Sequence, residues 1–210
     1  MNDLTNYDWW MRPSILELRE ANYQWRQMEW VGFYFEYLFA RAVSSMPEIQ
    51  IPGQKVCNMR FDAFSMVNLD LKVHANGTSA IIILNDRVAI EQAITLHGAL
   101  GFLVINGDVQ YDQDGSDRLW HNALKGKPSA YVLSNPNRKS RRRKRRFTGC
   151  NVQFYYVDNL DQLLLVNQGT NSNGGARNRK YALDTSGTPA TTSWDIVAGQ
   201  EPSKPANSYP

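Results

Sequence analysis

The chain has little cysteine and little histidine. Two cysteines in 210 residues, Cys57 and Cys150, exclude a disulfide framework and every thiolate-rich zinc module. Three histidines, His74, His97 and His121, lie far apart in the sequence and offer no metal-ligand spacing such as HExxH. Long hydrophobic runs are also missing: the longest apolar stretches, around Ile81–Leu84 and Ala99–Ile105, fall far short of the roughly 18 residues that cross a bilayer. Met1–Asp8 is polar and acidic where a secretory signal has a basic end followed by an apolar stretch. These absences lead to the expectation of a soluble, cytoplasmic protein with no membrane partner. Apolar side chains are nevertheless plentiful. Hydrophobic residues make up 42% of the chain, with six Trp, ten Tyr and eight Phe, which excludes a wholly disordered or fibrous protein.

The formal charge of +3 averages two unlike regions. Arg138–Arg146 reads RKSRRRKRR; removing its eight basic residues from 23 leaves 15 against 20 acidic ones, so the remainder carries about −5. A run of this kind is expected to be solvated or paired with an anion, and a phosphate backbone is the commonest anion that rewards it. The other reading is a flexible charged loop.

From Ser14 to about Ser44 there is no proline and one glycine, and apolar residues recur at helical intervals through Ile15, Leu18, Trp25, Met28, Phe35 and Phe39; this predicts one long helix or two. Val56–Asp62 and Val67–Ala75 alternate with period two and read as strands. A short loop at Ser65–Val67 would close them into a hairpin with Asp62 opposite Asp70, both on a polar face that also carries Lys72 and His74. Ala80–Leu84 reads as a third strand, followed by a helix to about His97 with Gly98 as its stop. Ala99–Ile105 is a continuous apolar strand that Asn106-Gly107 ends, and a strand after a helix suggests a parallel crossover. Leu119–Lys125 predicts a short helix, Ala130–Ser134 and Asn151–Val157 strands, and Leu160–Val166 a strand or short helix. Residues 1–167 are expected to form one domain with a basic loop at 138–146. Residues 168–210, rich in Gly, Asn, Ser and Pro, are expected to be a largely disordered tail.

The segment RFDAFSMVNLDLKVHA, Arg60–Ala75, carries the chemistry. Two carboxylates facing each other across a hairpin, with a lysine two residues past the second, make a compact site of mixed charge. That suits a divalent cation with oxygen ligands, which lowers the pKa of a bound water and neutralises charge on a phosphate. Lys72 would be a point charge beside the attacking water or the phosphate.

With these residues the sequence resembles the PD-(D/E)xK nuclease superfamily, the fold of many type II restriction endonucleases and Holliday junction resolvases. Asp62 matches the aspartate that ends the first catalytic strand, preceded here by Phe61 instead of the common proline. Asp70, Leu71 and Lys72 match the (D/E)xK triplet, which in the family supplies a metal ligand, a metal-binding backbone carbonyl and the catalytic lysine. Glu36 in GFYFE, from Gly32, resembles the glutamate of the family's first helix, with Glu29 a weaker candidate one heptad earlier. The resemblance covers Ser14 to Ile105. It implies an α/β fold with a restriction-endonuclease-like core, a mixed central sheet flanked by helices.

The expected function is a Mg²⁺-dependent endonuclease, with Mn²⁺ as a substitute, that cuts DNA phosphodiester bonds. Asp62, Asp70 and the Leu71 carbonyl would hold metal, Lys72 would assist the water, and Glu36 would complete the shell. Arg138, Lys139, Arg141, Arg142, Arg143, Lys144, Arg145 and Arg146, with Lys125 and Lys127, would contact DNA, and His121 is a further candidate for its backbone. A sequence-specific type II restriction enzyme acting as a homodimer is the leading form. A junction resolvase or repair nuclease of the same fold is the nearest alternative, and a non-catalytic nucleic-acid-binding protein is the alternative from another class.

Overall fold

A computed structural model describes residues 7–52, 61–126, 133, 142–169, 175 and 177–196. The aromatic N-terminal region forms a short strand, β1 (Asp8–Trp10), and two helices, α1 (Met11–Glu20) and α2 (Trp30–Ala42). Pro13 lies in the first turn of α1, where its missing N–H interrupts no helical bond. Asn22 ends that helix. Its φ of 53° is left-handed, the Tyr23 N–H donates to the Leu18 carbonyl at 2.7 Å, and the Asn22 N–H donates to the Arg19 carbonyl at 3.0 Å. This is a Schellman closure with asparagine in the place usually taken by glycine. It settles the choice between one helix and two.

The main sheet contains β1, β2 (Ala63–Ser65), β3 (Val67–Ala75), β5 (Leu100–Tyr111), β6 (Lys144–Val157) and β9 (Thr192–Asp195), in the order β1-β6-β5-β3-β2 with β9 also on β6. β3 and β5 are parallel, as a crossover requires, and the other pairings are antiparallel. The crossover carries β4 (Ile81–Asp86) and α3 (Arg87–His97), which Gly98 stops with a φ of 76°. α4 (Ser116–Lys125) joins β5 to the segment before β6. The fold is therefore mixed α/β, a mixed sheet flanked by helices.

Each face of the main sheet has its own core. On one, Met11, Ile15 and Leu18 of α1 and Trp30, Tyr34, Phe35 and Leu38 of α2 pack on Leu71, Ile105 and Phe147. On the other, Ala89, Ile90 and Ala93 of α3 pack on Leu100, Phe102, Val104, Tyr155 and Val157. Among the described residues no helix is long and apolar enough to cross a membrane.

Four expectations are corrected. The third strand, β4, does not extend the central sheet; it joins β8 (Lys180–Asp184) and β7 (Leu164–Val166) in a separate three-stranded sheet. Asn106-Gly107 does not end β5. The ladder runs through it with a register shift, and a Cβ on Gly107 would sit 2.4 Å from the Thr148 carbonyl oxygen, so glycine serves the close approach of β6 instead of a turn. The basic run is not a loop over its last three residues, because Lys144–Arg146 begin β6. The disordered tail does not extend over 180–196: Tyr181, Ala182 and Leu183 are buried in β8, and β9 pairs with β6. Residue 62 lies just outside β2. The rest of the first predicted strand before Phe61 falls outside the described residues, as does most of the expected strand at 130–134.

Candidate functional site

β2 is three residues long and pairs with β3 only through Val67, Leu69 and the residue between them. Beyond that point β3 is an open sheet edge among the described strands, and Asp62 lies along it. The Asp62 N–H donates to the Leu69 carbonyl at 2.9 Å, and Asp62 Oδ2 accepts the Leu71 N–H at 2.7 Å. The carboxylate thus takes a ladder position that a longer β2 would have filled. β2 and β3 form the expected hairpin, in a register that continues to Asp62 opposite Asp70, although Asp62 itself lies just past the end of the ladder. In a strand the N–H and C=O of one residue face the same neighbour, so the Leu71 carbonyl is directed to the same edge as Asp62.

Asp70 and Lys72 share one side of β3, as the alternation predicts. They align with Phe102 and Val104 of β5, both fully buried, so this polar row turns toward protein. Asp70 is 2% exposed. Lys72 Nζ donates to Asp70 Oδ1 at 2.8 Å, while Asp70 Oδ2 is buried with no hydrogen-bond partner among the described residues. Glu36 comes from α2, and the Tyr23 hydroxyl donates to its Oε2 at 2.9 Å. Asn22 and Gln24, on either side of Tyr23, both have positive φ, a backbone arrangement that costs energy in non-glycine residues and fixes the tyrosine.

Charge couples these groups. Burial pushes Glu36 up to about 7, opposed by the Tyr23 hydrogen bond and Lys72 and reinforced by Asp70. Burial pushes Asp62 up to about 8, and the Asp70 and Glu36 carboxylates add to the effect. Burial pulls Lys72 down, but Asp70, Asp62 and Glu36 together outweigh it, so its ammonium is held above the ordinary lysine range. Lys72 is therefore a fixed cation and a poor base near neutral pH. Tyr23 is pushed up by burial and by Glu36 and Asp62, and remains a hydrogen-bond donor.

Among the described residues the site holds three carboxylates against one ammonium, an imbalance that a cation would relieve. Among the described residues no group of three or more His, Cys, Asp or Glu side chains is placed so that it could hold a metal ion. The donors nonetheless suit a hard cation: two aspartates, one with a free buried oxygen, and the Leu71 carbonyl. Mg²⁺ commonly needs one or two carboxylates, with water and substrate oxygens supplying the rest.

The other candidates fall elsewhere. Glu29, at the start of α2, accepts from Lys144 Nζ at 3.0 Å. Arg145 binds Asp112, Asp114 and Asp117 at 2.6–2.8 Å, and Arg146 binds Asp8 at 2.6 and 2.9 Å. The last part of the basic run thus neutralises the protein's own acids. Arg142 is exposed, Arg143 is buried, and Lys125 is half-buried in the last turn of α4. Lys127, Arg138, Lys139 and Arg141 lie outside the described residues. His121 is fully buried, its Nε2 2.9 Å from the Trp25 carbonyl, and so cannot touch a DNA backbone. His74 is held by Asn106 and the Ser79 carbonyl, and His97 packs its ring on Phe64.

Tyr23 is a site residue that sequence reasoning missed. It lies 13 residues before Glu36, and only the helix stop at Asn22 would have signalled that it turns back. In comparisons with known proteins the chain matches no family model, no curated protein and no solved structure.

Proposed function

We propose that the protein is a divalent-metal-dependent endonuclease that hydrolyses DNA phosphodiester bonds. One observation carries this reading: among the described residues Glu36, Asp62 and Asp70 are coupled through their charges at the edge of β3, Lys72 is bound to Asp70, and a buried Asp70 oxygen has no hydrogen-bond donor. Bound Mg²⁺ would supply an acidified water and neutralise charge on the phosphate. Asp62, Asp70 and the Leu71 carbonyl are the residues that would hold it. Lys72, fixed by Asp70 and kept protonated, offers positive charge where the phosphate gains negative charge. Glu36, held by the Tyr23 hydroxyl and raised toward neutrality by burial, is the carboxylate that would take the proton that water gives up. In the net reaction a water oxygen bonds to phosphorus and one ester P–O bond breaks. The departing oxygen takes a proton, and the other product end keeps the phosphate.

Incubation of plasmid and branched DNA with the protein, with Mg²⁺ or with EDTA, tests the reading. Cleavage only with Mg²⁺, lost in Lys72→Ala, supports it. Discrete plasmid fragments would indicate a sequence-specific restriction enzyme, for which a palindromic site would favour a homodimer; cutting confined to branched DNA would indicate a resolvase. Salt-sensitive binding without metal-dependent cutting of any substrate would contradict it in favour of a non-catalytic binding protein.

A further inference from the structure

A second cluster, of opposite sign, lies where the loop between α1 and α2 docks on α4. Arg26 Nη2 donates to the Lys125 carbonyl at 2.8 Å, and His121 Nε2 meets the Trp25 carbonyl at 2.9 Å. The Arg26 guanidinium is exposed and lies 4.9 Å from the Trp25 ring centre. Arg143 completes the group. It is 7% exposed, yet its Nε and Nη1 are buried without a hydrogen-bond partner among the described residues. A buried guanidinium with unused donors is costly and calls for an acceptor.

The nearby acids are committed to other partners. Glu29 and Asp112 are the carboxylates that act on Arg143. Glu29 accepts from Lys144, and Asp112 accepts from Arg145 and from the Arg118 N–H. Positive charge therefore accumulates. Burial pushes Lys125 down to about 8, and Arg143 and Arg26 push in the same direction. His121, pulled down to about 4 chiefly by burial, is neutral at pH 7 and adds no charge.

We infer that Arg26 and Lys125, backed by the buried charge of Arg143, form a phosphate-binding subsite, and that its occupant is a backbone phosphate flanking the scissile one in the bound nucleic acid. The identity of that ligand rests on the endonuclease reading. The loop that carries Arg26 also carries Tyr23, which binds Glu36 of the acidic site. Three residues of chain span at most about 11 Å, so the Tyr23 and Arg26 backbones are close. Successive phosphates of one duplex strand rise about 3.4 Å along the axis and lie farther apart through space, so the occupant is a phosphate close to the cut along the strand. Arg provides several directed donors and Lys a mobile point charge, a combination suited to phosphate oxygens.

The test uses the full chain with EDTA present, so that binding is read apart from cleavage. Anisotropy of a short labelled duplex is measured over a salt series for wild type, Arg26→Gln, Lys125→Gln and Arg146→Gln. Arg26→Gln and Lys125→Gln are expected to weaken binding several-fold and to flatten the slope of log affinity against log salt by about 0.9 for each lost contact. Arg146→Gln, whose arginine is bound to Asp8, is expected to match wild type. Arg143 is buried, so the two more exposed variants carry the test even if Arg143→Gln fails to fold. Unchanged affinity and slope in both would overturn the proposal. Loss of inorganic phosphate binding with unchanged duplex binding would also overturn it, by showing a free-phosphate site. The two readings fail separately: variant-sensitive binding by a protein that never cuts removes the endonuclease and leaves the subsite, while metal-dependent cutting with variant-insensitive binding does the reverse.

Discussion

Two regions of the molecule gather carboxylates, and they resolve their charge in different ways. Around Arg145, the acids Asp112, Asp114 and Asp117 are matched by that guanidinium and by Arg12, while Asp8 is matched by Arg146. Hydrogen bonds from Ser116, together with Arg145, hold the Asp114 carboxyl below the ordinary range. At the edge of β3, burial and mutual repulsion instead raise Glu36 and Asp62, and among the described residues Lys72 is the one cation that acts on both. Acidic residues alone therefore do not mark a site. An internally balanced network holds strands and helices together, whereas the group at the edge of β3 keeps an excess of carboxylates among the described residues.

The sharpest way to break this comparison is to remove charge from each region and read activity. Lys72→Ala and Asp70→Asn are expected to lower the rate of DNA cleavage at least about a hundredfold, as losing a group that stabilises developing charge does, with the folded state verified by circular dichroism. Rates within twofold of wild type would show the edge to be structural. Arg145→Ala should act on stability instead, because it leaves Asp112 and Asp117 buried without their main partner. It is expected to lower the urea midpoint more than any other single arginine change in that network, while cleavage per folded molecule is retained.

The pH response sharpens the contrast. Asp62 and Glu36 have folded pKa values above those of an unfolded chain, so the fold binds their protons more tightly than the unfolded chain does. Their contribution to stability is complete below about pH 4 and fades as pH rises through 7 and 8. Without divalent cation, wild type should lose on the order of a few kcal/mol from this source by pH 9, and Asp62→Asn should lose less. Thermal melts in EDTA from pH 6 to 9 read the difference; parallel curves for the two proteins would contradict it. The smallest effect is expected for Arg146→Gln, an exposed pair with Asp8, whose urea midpoint should not change measurably.

Much of the site was legible because its signals are local. Period-two alternation identified β3 and placed Asp70 and Lys72 on one side, and Gly98 marked the end of α3 before the parallel β5. What stayed hidden depends on partners far away in sequence. Nothing near Lys144–Arg146 announces that a run of positive charge enters a strand, since its neutralising acids lie as far off as Asp8, 138 residues from Arg146. β8 looked like tail because a five-residue strand is diluted by its glycine-rich and asparagine-rich surroundings, and its partner β4 is about 100 residues earlier. Alternation gives β3 a polar side, and pairing with Phe102 and Val104 turns that side inward. Periodicity reports two faces without saying which one is covered.

The central claim is that the edge of β3 is a divalent-cation site. Titration calorimetry of wild type with Mg²⁺ or Mn²⁺ near pH 7.5 tests it most directly, alongside Asp62→Asn and Asp70→Asn. The account predicts saturable binding to wild type with proton release, as Asp62 and Glu36 give up protons to the incoming charge, and severe weakening in both variants. No binding by wild type, or equal binding by all three proteins, would contradict it.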